Sequence, residues 1–367
     1  MKIRSAEFLN FRNIGHFSFD FDDEMNIVFG KNAQGKTNVI EGIYLFAGGK
    51  SFRHAKDADM RKFGSDRTSV SVKFSSSDRD YAMSIALFGD KRKEMTKNGV
   101  KIGKISEFVG TFRSVLFCPS HLLVVQADPS LRRNFIDGAI SQFKPKYLGA
   151  LIEYGKILEQ KNALLRSFED HPDDFDTIYD IMTEKLAGLG GYITSVRAVY
   201  LEKLFGYVGD LLSDMSGEKA GYRYVSSVGE DVFDEAETEK KYRLAIEAHK
   251  EKEKIVGTSL VGPHRDDFEI YLGDRPAKTF ASQGQQRSIA LALKLAEGDI
   301  SKNECGEYPV FLLDDVLSEL DRDRKKYVLS RLSGRQVIIT SCDENDFSGV
   351  TAGKKIFVEN GNYSYTD

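Results

Sequence analysis

The expected fold is α/β: an α/β core with an antiparallel β layer and an inserted helical arm domain. Three stretches lead there. Residues 25–48 read as strand, glycine loop and helix, residues 308–315 as a strand ending in two aspartates, and the middle of the chain keeps a long helical periodicity.

The loop is Gly30-Lys31-Asn32-Ala33-Gln34-Gly35-Lys36-Thr37-Asn38. Gly30 and Gly35 lie five apart and Lys36 and Thr37 follow, so the G-x-x-x-x-G-K-T spacing of a phosphate-cradling loop is complete. The glycines leave backbone N–H groups open to a polyphosphate, and a helix starting near Lys36 aims its positive dipole end at the same anion. Lys36 is expected to neutralise β- and γ-phosphate oxygens, and Thr37 to offer its hydroxyl to Mg²⁺. Asn26 to Phe29 is a short apolar strand, and Val39, Ile40, Ile43, Tyr44 and Phe46 recur at helical spacing.

The chain has 367 residues, room for two or three domains, with enough apolar content (41%) for real cores. No apolar run approaches the roughly 20 residues of a membrane span, and Met1-Lys-Ile-Arg-Ser lacks a signal-peptide core. Cys118, Cys305 and Cys342 are widely spaced, which argues against a disulfide frame or a zinc site. A reducing, cytoplasmic setting is expected. The net charge of −4 is unevenly spread: residues 1–113 hold 20 basic and 14 acidic residues, a net +6, and the remainder carries −10. Lys50, Arg53, Lys56, Arg61 and Lys62, then Lys91, Arg92, Lys93, Lys97, Lys101 and Lys104, are the densest part. They suit a polyanion face, and a solvated sheet surface would look the same.

In order, Ile3 to Phe11 and Gly15 to Phe21 read as a strand pair, the second with Phe17, Phe19 and Phe21 alternating. Thr68 to Phe74 and Tyr81 to Phe88 alternate like half-buried strands, and Asn98-Gly99 is a hairpin turn signal. Arg113 to Cys118 is a buried strand stopped by Pro119. From Phe135 to His249 the pattern becomes helical, with one stripe from Ile178 through Met182, Leu186, Leu189, Ile193, Val196, Tyr200, Leu204 and Val208 to Leu211. Gly188, Gly190 and Gly191 within it mark either a kink or close packing. The expected organisation is a discontinuous ATPase domain, 1–134 and 250–367, with the arm as 135–249.

After the arm, Ser282 stands where an N-cap belongs, and Gly284 and Gln285 open a second helix whose start is able to bind phosphate. Taken alone, an ordinary capped helix is the better reading of this stretch. Tyr308 to Asp315 is an apolar strand ending in the two carboxylates, with Asp314 expected to reach Mg²⁺ through a water and Asp315 to orient or deprotonate the attacking water. Ser318-Glu-Leu-Asp321 follows, then the core strand Gln336 to Ser341. Within Gly262-Pro-His-Arg-Asp-Asp267, His264, Asp266 and Asp267 could suggest a metal or nuclease centre, but no second histidine cluster accompanies them. A hinge with buried ion pairs is the expectation there.

In this order the phosphate loop, Ser282-Gln-Gly-Gln-Gln-Arg287, Leu312-Leu-Asp-Asp315 and Ser318-Glu-Leu-Asp321 resemble the ABC-type ATPases of the SMC class, and within them the RecF family. The resemblance runs the whole length. It includes Phe11-Arg-Asn13, Gly35-Lys-Thr-Asn38 with Glu41, Lys50-Ser-Phe-Arg53, Pro129 with Arg132-Arg133, Phe135-Ile-Asp137 and Gly262 to Asp267. Pro119-Ser120-His121 departs from the usual Pro-Glu, and Thr340 and Ser341 replace the histidine that many ABC ATPases carry after the last core strand. The resemblance implies an ABC-type ATPase head that binds ATP and Mg²⁺ and hydrolyses ATP slowly, with DNA stimulation. It also implies an ATP-dependent homodimer that clamps gapped or junction DNA, working with RecO and RecR to load RecA. A transporter's nucleotide-binding subunit would share the ATP chemistry, but has little use for the helical insertion or the basic β layer. A small-molecule kinase would lack the signature helix.

Overall fold

Alternation of apolar and polar residues builds the first layer of the computed structural model, which describes residues 1–77, 79–89, 93–167, 172–342, 347 and 353–366. Strands β1 (Lys2–Phe11) and β2 (Ile14–Asp20) come first, then β3 (Met25–Phe29) and helix α1 (Lys36–Gly48). β4 (Arg67–Ser76), β5 (Arg79–Phe88), β6 (Glu94–Lys97) and β7 (Val100–Ile102) follow. The single turn α2 (Ile105–Phe108) and β8 (Ser114–Phe117) complete this stretch. β4 turns Thr68, Val70, Val72, Phe74 and Ser76 inward, every second residue, as a half-buried strand must. These strands form an antiparallel six-stranded sheet in the order β2-β1-β4-β5-β6-β7. Asn98 and Gly99 both take positive φ in the tight turn between β6 and β7, as the sequence suggested. Lys91 and Arg92 lie outside the described residues.

The middle of the chain contains α3 (Pro129–Ser141), α4 (Pro145–Arg166), α5 (Pro172–Ser216), β9 (Ala220–Val225) and α6 (Glu235–Val256). β10 (Asp267–Leu272), β11 (Arg275–Pro276) and the turn α7 (Ala277–Phe280) close it. α5 is one helix of 45 residues, unbroken at its glycines. Of the two readings of those glycines, close packing is the one realised: a Cβ on Gly191 would stand 2.8 Å from the Glu235 carbonyl oxygen and the Glu239 nitrogen of α6. This region is not wholly helical, because Tyr222 and Tyr224 alternate along β9, which pairs antiparallel with β10 in a three-stranded sheet. The partner strand lies some forty residues downstream, too far for a local pattern to show.

Thereafter come α8 (Gln283–Cys305), β12 (Val310–Asp314), α9 (Arg322–Arg331), β13 (Val337–Ser341), β14 (Lys355–Glu359) and β15 (Asn362–Thr366). The central sheet runs β15-β14-β3-β13-β12-β8, parallel from β14 to β8. Its middle strands are buried throughout, the near-continuous apolar reading of a parallel sheet covered on both faces. Because β13 lies between β3 and β12, the carboxyl ends of all three meet at one edge, which is where α/β sheets bind ligands. β14 and β15 were not expected from the sequence, although Ile356, Val358 and Tyr363 are buried.

Two units result. One is Met1–Leu123, Asp210–Gly217 and Ser282–Asp367; the other is Val124–Gly209 and Glu218–Ala281. The second unit is longer than the expected 135–249 arm because β10 must accompany β9 and Asp267 must accompany Arg132, its bidentate partner at 2.6 and 2.8 Å. The last turns of α5 fall in the first unit, where the Leu211 carbonyl accepts from the Tyr327 hydroxyl. Among the described residues no helix is long and apolar enough to cross a membrane.

Candidate nucleotide site

The phosphate loop turns sharply because its backbone occupies regions that side chains disfavour. Gly30 (φ 154°) and Gly35 (φ 120°) carry the turn. A Cβ on Gly30 would stand 2.3 Å from the Val358 carbonyl oxygen, and one on Gly35 within 2.8 Å of Asn13 and the Tyr363 hydroxyl. Only glycine fits at either place. α1 then begins at Lys36 with no side-chain cap, which leaves its first amides to the loop and to an anion.

Lys36 is folded back over the loop. Its Nζ donates to the carbonyls of Gly30 (2.7 Å) and Lys31 (2.9 Å) and lies 3.6 Å from Cys342 Sγ. Phosphate oxygens can replace both carbonyls. The Thr37 hydroxyl donates to Asp314 Oδ1 at 2.9 Å, and Thr340 donates to the same oxygen at 3.0 Å. Burial raises the Asp314 carboxyl above its usual range; the two hydroxyls oppose that rise, and the adjacent Asp315 charge adds to it. Asp315 follows with φ 51°. A cleft of about 270 Å³ is lined by Asn32, Ala33, Gly35, Lys36, Thr37, Asn38, Arg53 and Asp315.

These residues bring the loop and the paired carboxylates to one place, but not the start of α8. Ser282 caps α8 reciprocally with Gln285: the Ser282 Oγ accepts from the Gln285 amide (3.2 Å), and the Gln285 Oε1 accepts from the Ser282 amide (2.7 Å). Ser282 is exposed, and neither it, Gly284 nor Gln285 lines the cleft. A hydroxyl and a carboxylate are hard oxygen donors, so Thr37 and Asp314 suit Mg²⁺ completed by phosphate and water oxygens.

Several contributors were not chosen as site residues from sequence. Arg53 lines the cleft, 3.3 Å from Asn38 Oδ1 and 3.6 Å from the buried Glu41 carboxylate, which Arg12 holds with two hydrogen bonds. Asn13 ties the loop by donating to the Gln34 carbonyl and accepting from the Asn38 side-chain Nδ2, and the Tyr363 hydroxyl donates to the Gly35 carbonyl. Arg53 and Asn13 sat in motifs noted above, whereas nothing marked Tyr363. At Pro119-Ser120-His121, the His121 imidazole donates to the Leu116 carbonyl and burial pushes it down to about 3.

In the second unit, Gly262 to Asp267 is a structural knot. Asp266 is 1% exposed and accepts from the hydroxyls of Thr194, Tyr224 and Tyr242 and from the Ser227 amide. Asp267 is taken by Arg132, while His264 Nδ1 accepts from the Tyr154 hydroxyl at 2.8 Å. Among the described residues no group of three or more histidine, cysteine or carboxylate side chains is placed to hold a metal.

Residues 2–364 match the RecF/RecN/SMC N terminal domain family. The chain is 36% identical over 365 residues to the DNA replication and repair protein RecF of Ruminiclostridium cellulolyticum, covering 97% of each. It is 38% identical over 341 residues to that of a Thermoanaerobacter species, covering 93% of this chain and 94% of the relative. Solved structures of the recombination mediator protein RecF in the RecFOR pathway superpose along the whole chain and 98% of theirs at 33% identity, with TM-scores of 0.94 for RecF-ATPrS and 0.93 for RecF-ATP. An Smc head domain from Pyrococcus furiosus shares the fold at 17% identity and a TM-score of 0.58, covering 96% of that chain.

Proposed function

The chain belongs to the RecF family, and from that premise we propose that it is an ATP-driven recombination mediator whose dimer closes on gapped or junction DNA. The observation that carries this is the division of the nucleotide machinery. Lys36, Thr37, Asp314 and Asp315 gather at one cleft, while exposed Ser282 and half-buried Gly284 stand at the head of α8, outside that cleft's lining. A second copy then completes the site, its Ser282 and Gly284 reaching the γ-phosphate held by Lys36. Only the triphosphate joins the two copies, because it alone binds both halves.

Thr37, and Asp314 through a water, would hold Mg²⁺, which would neutralise charge on the phosphates. Asp315 orients a water toward the γ-phosphorus and takes its proton. The bond to the β,γ-bridging oxygen breaks, ADP and phosphate leave, and the two copies lose their shared ligand. Lys36 exchanges the Gly30 and Lys31 carbonyls for phosphate oxygens, at little cost in lost contacts.

DNA is met by the basic residues of the first unit through salt-dependent phosphate contacts. Lys97 and Lys101 are engaged within their own layer, by Thr111 and Glu94, which favours the exposed Lys50 and Lys56. RecO, RecR and RecA are the proposed protein partners, following the RecFOR pathway in which the structural relatives act. ATP hydrolysis measured across single-stranded, duplex and gapped DNA tests the reading. Slow turnover that rises most with gapped DNA is expected, and a rate indifferent to all three overturns it.

A further inference from the structure

We propose that Thr340 is a positioning residue for hydrolysis, fixing Asp314 and Asp315 relative to each other through its single hydroxyl; this rests on the reading of those two carboxylates given above. Thr340 is fully buried near the end of β13 and stands opposite Asp314 in the parallel register. Its Oγ1 donates to Asp314 Oδ1 at 3.0 Å and accepts from the Asp315 backbone N–H at 2.9 Å. Neither direction can reverse, because a backbone N–H cannot accept and an ionised carboxylate cannot donate.

β12 ends at Asp314, and Asp315 takes φ 51°, a left-handed conformation that non-glycine residues disfavour. The Thr340 oxygen receives the amide that the strand ladder no longer serves. It thereby holds the turn that swings the Asp315 carboxylate into the cleft. Thr37 grips Asp314 from α1, whereas Thr340 alone of these hydroxyls bonds both aspartates.

Valine has the same shape and suits a strand, but offers neither contact; serine offers both. In Thr340→Val, kcat for ATP should fall about 10- to 100-fold while the ATP dissociation constant moves less than about threefold, since displaced reacting groups cost rate and not ground-state binding. Thr340→Ser should restore both values to within about threefold of the parent. Should the valine variant not fold, Thr340→Ala removes the same hydroxyl. In an Asp315→Asn background the Thr340→Val change should cost nothing further. A normal kcat in Thr340→Val, or a full additional loss in the Asp315→Asn background, overturns the proposal. Normal turnover in Asp315→Asn itself instead overturns the assignment of Asp315.

Discussion

Asp266 in the second unit and Asp314 in the first are both nearly inaccessible, at 1% and 5% exposure, but their surroundings differ. Four hydroxyls and an amide, from residues as far apart as Thr194 and Tyr242, close around Asp266. Asp314 has two hydroxyls, both on Oδ1, at the carboxyl end of a strand beside an open cleft. Glu253 and Lys36 repeat the contrast. Glu253 is fully buried and held by Lys161, Tyr179, Ser259 and the Leu260 amide, whereas Lys36 rests on two loop carbonyls that phosphate can supplant. Buried polar groups saturated by the chain itself specify a fold; groups bonded to replaceable partners at a strand end are poised for chemistry.

The sharpest way to break this contrast is Glu253→Ala. It strands the Lys161 cation and three donors, and should cost the second unit about 3–5 kcal/mol in denaturant unfolding, with ATP affinity unchanged. Lys36→Ala should do the reverse, weakening ATP binding about 100-fold, or nearly 3 kcal/mol, in equilibrium titrations while the melting temperature holds. An equal loss of stability in both variants would erase the distinction.

A smaller effect follows from His264. Burial pushes its imidazole down to about 4, and its neutral form accepts from Tyr154 and donates to the Ser259 carbonyl. Between pH 4 and 6.5 the unfolded chain binds a proton there that the folded one does not. Stability is therefore lost on acidification through that window, by up to about 1.4 kcal/mol per pH unit. His264→Gln should flatten this part of the pH–stability curve relative to the parent, and an unchanged slope would place the histidine in a wetter site.

The same contrast explains what could be read from sequence. Gly30 to Thr37 announces itself because the turn, the cation and the hydroxyl lie within one local segment whose geometry depends on glycine. Asp314 and Asp315 were legible because an apolar strand ended in them. Asn13, Arg53 and Tyr363 reach the loop from other strands or loops, so spacing could not mark them as site residues, although two lay in recognised motifs. In the second unit, the helical stripe of α5 was plain, but β9 was missed because its pairing with β10 is non-local. The knot around Asp266 joins four separate segments, so the sequence pointed to buried ion pairs at His264-Arg-Asp-Asp267 without showing which groups close around Asp266.

In the proposed mechanism, ATP joins two copies through a site each holds only in part. Sedimentation of Asp315→Asn with ATP and magnesium tests it most directly, since this variant should bind nucleotide without releasing it by hydrolysis. The mass should double in ATP and return to that of one chain in ADP. A mass that stays at one chain in saturating ATP, with or without gapped DNA, would contradict it.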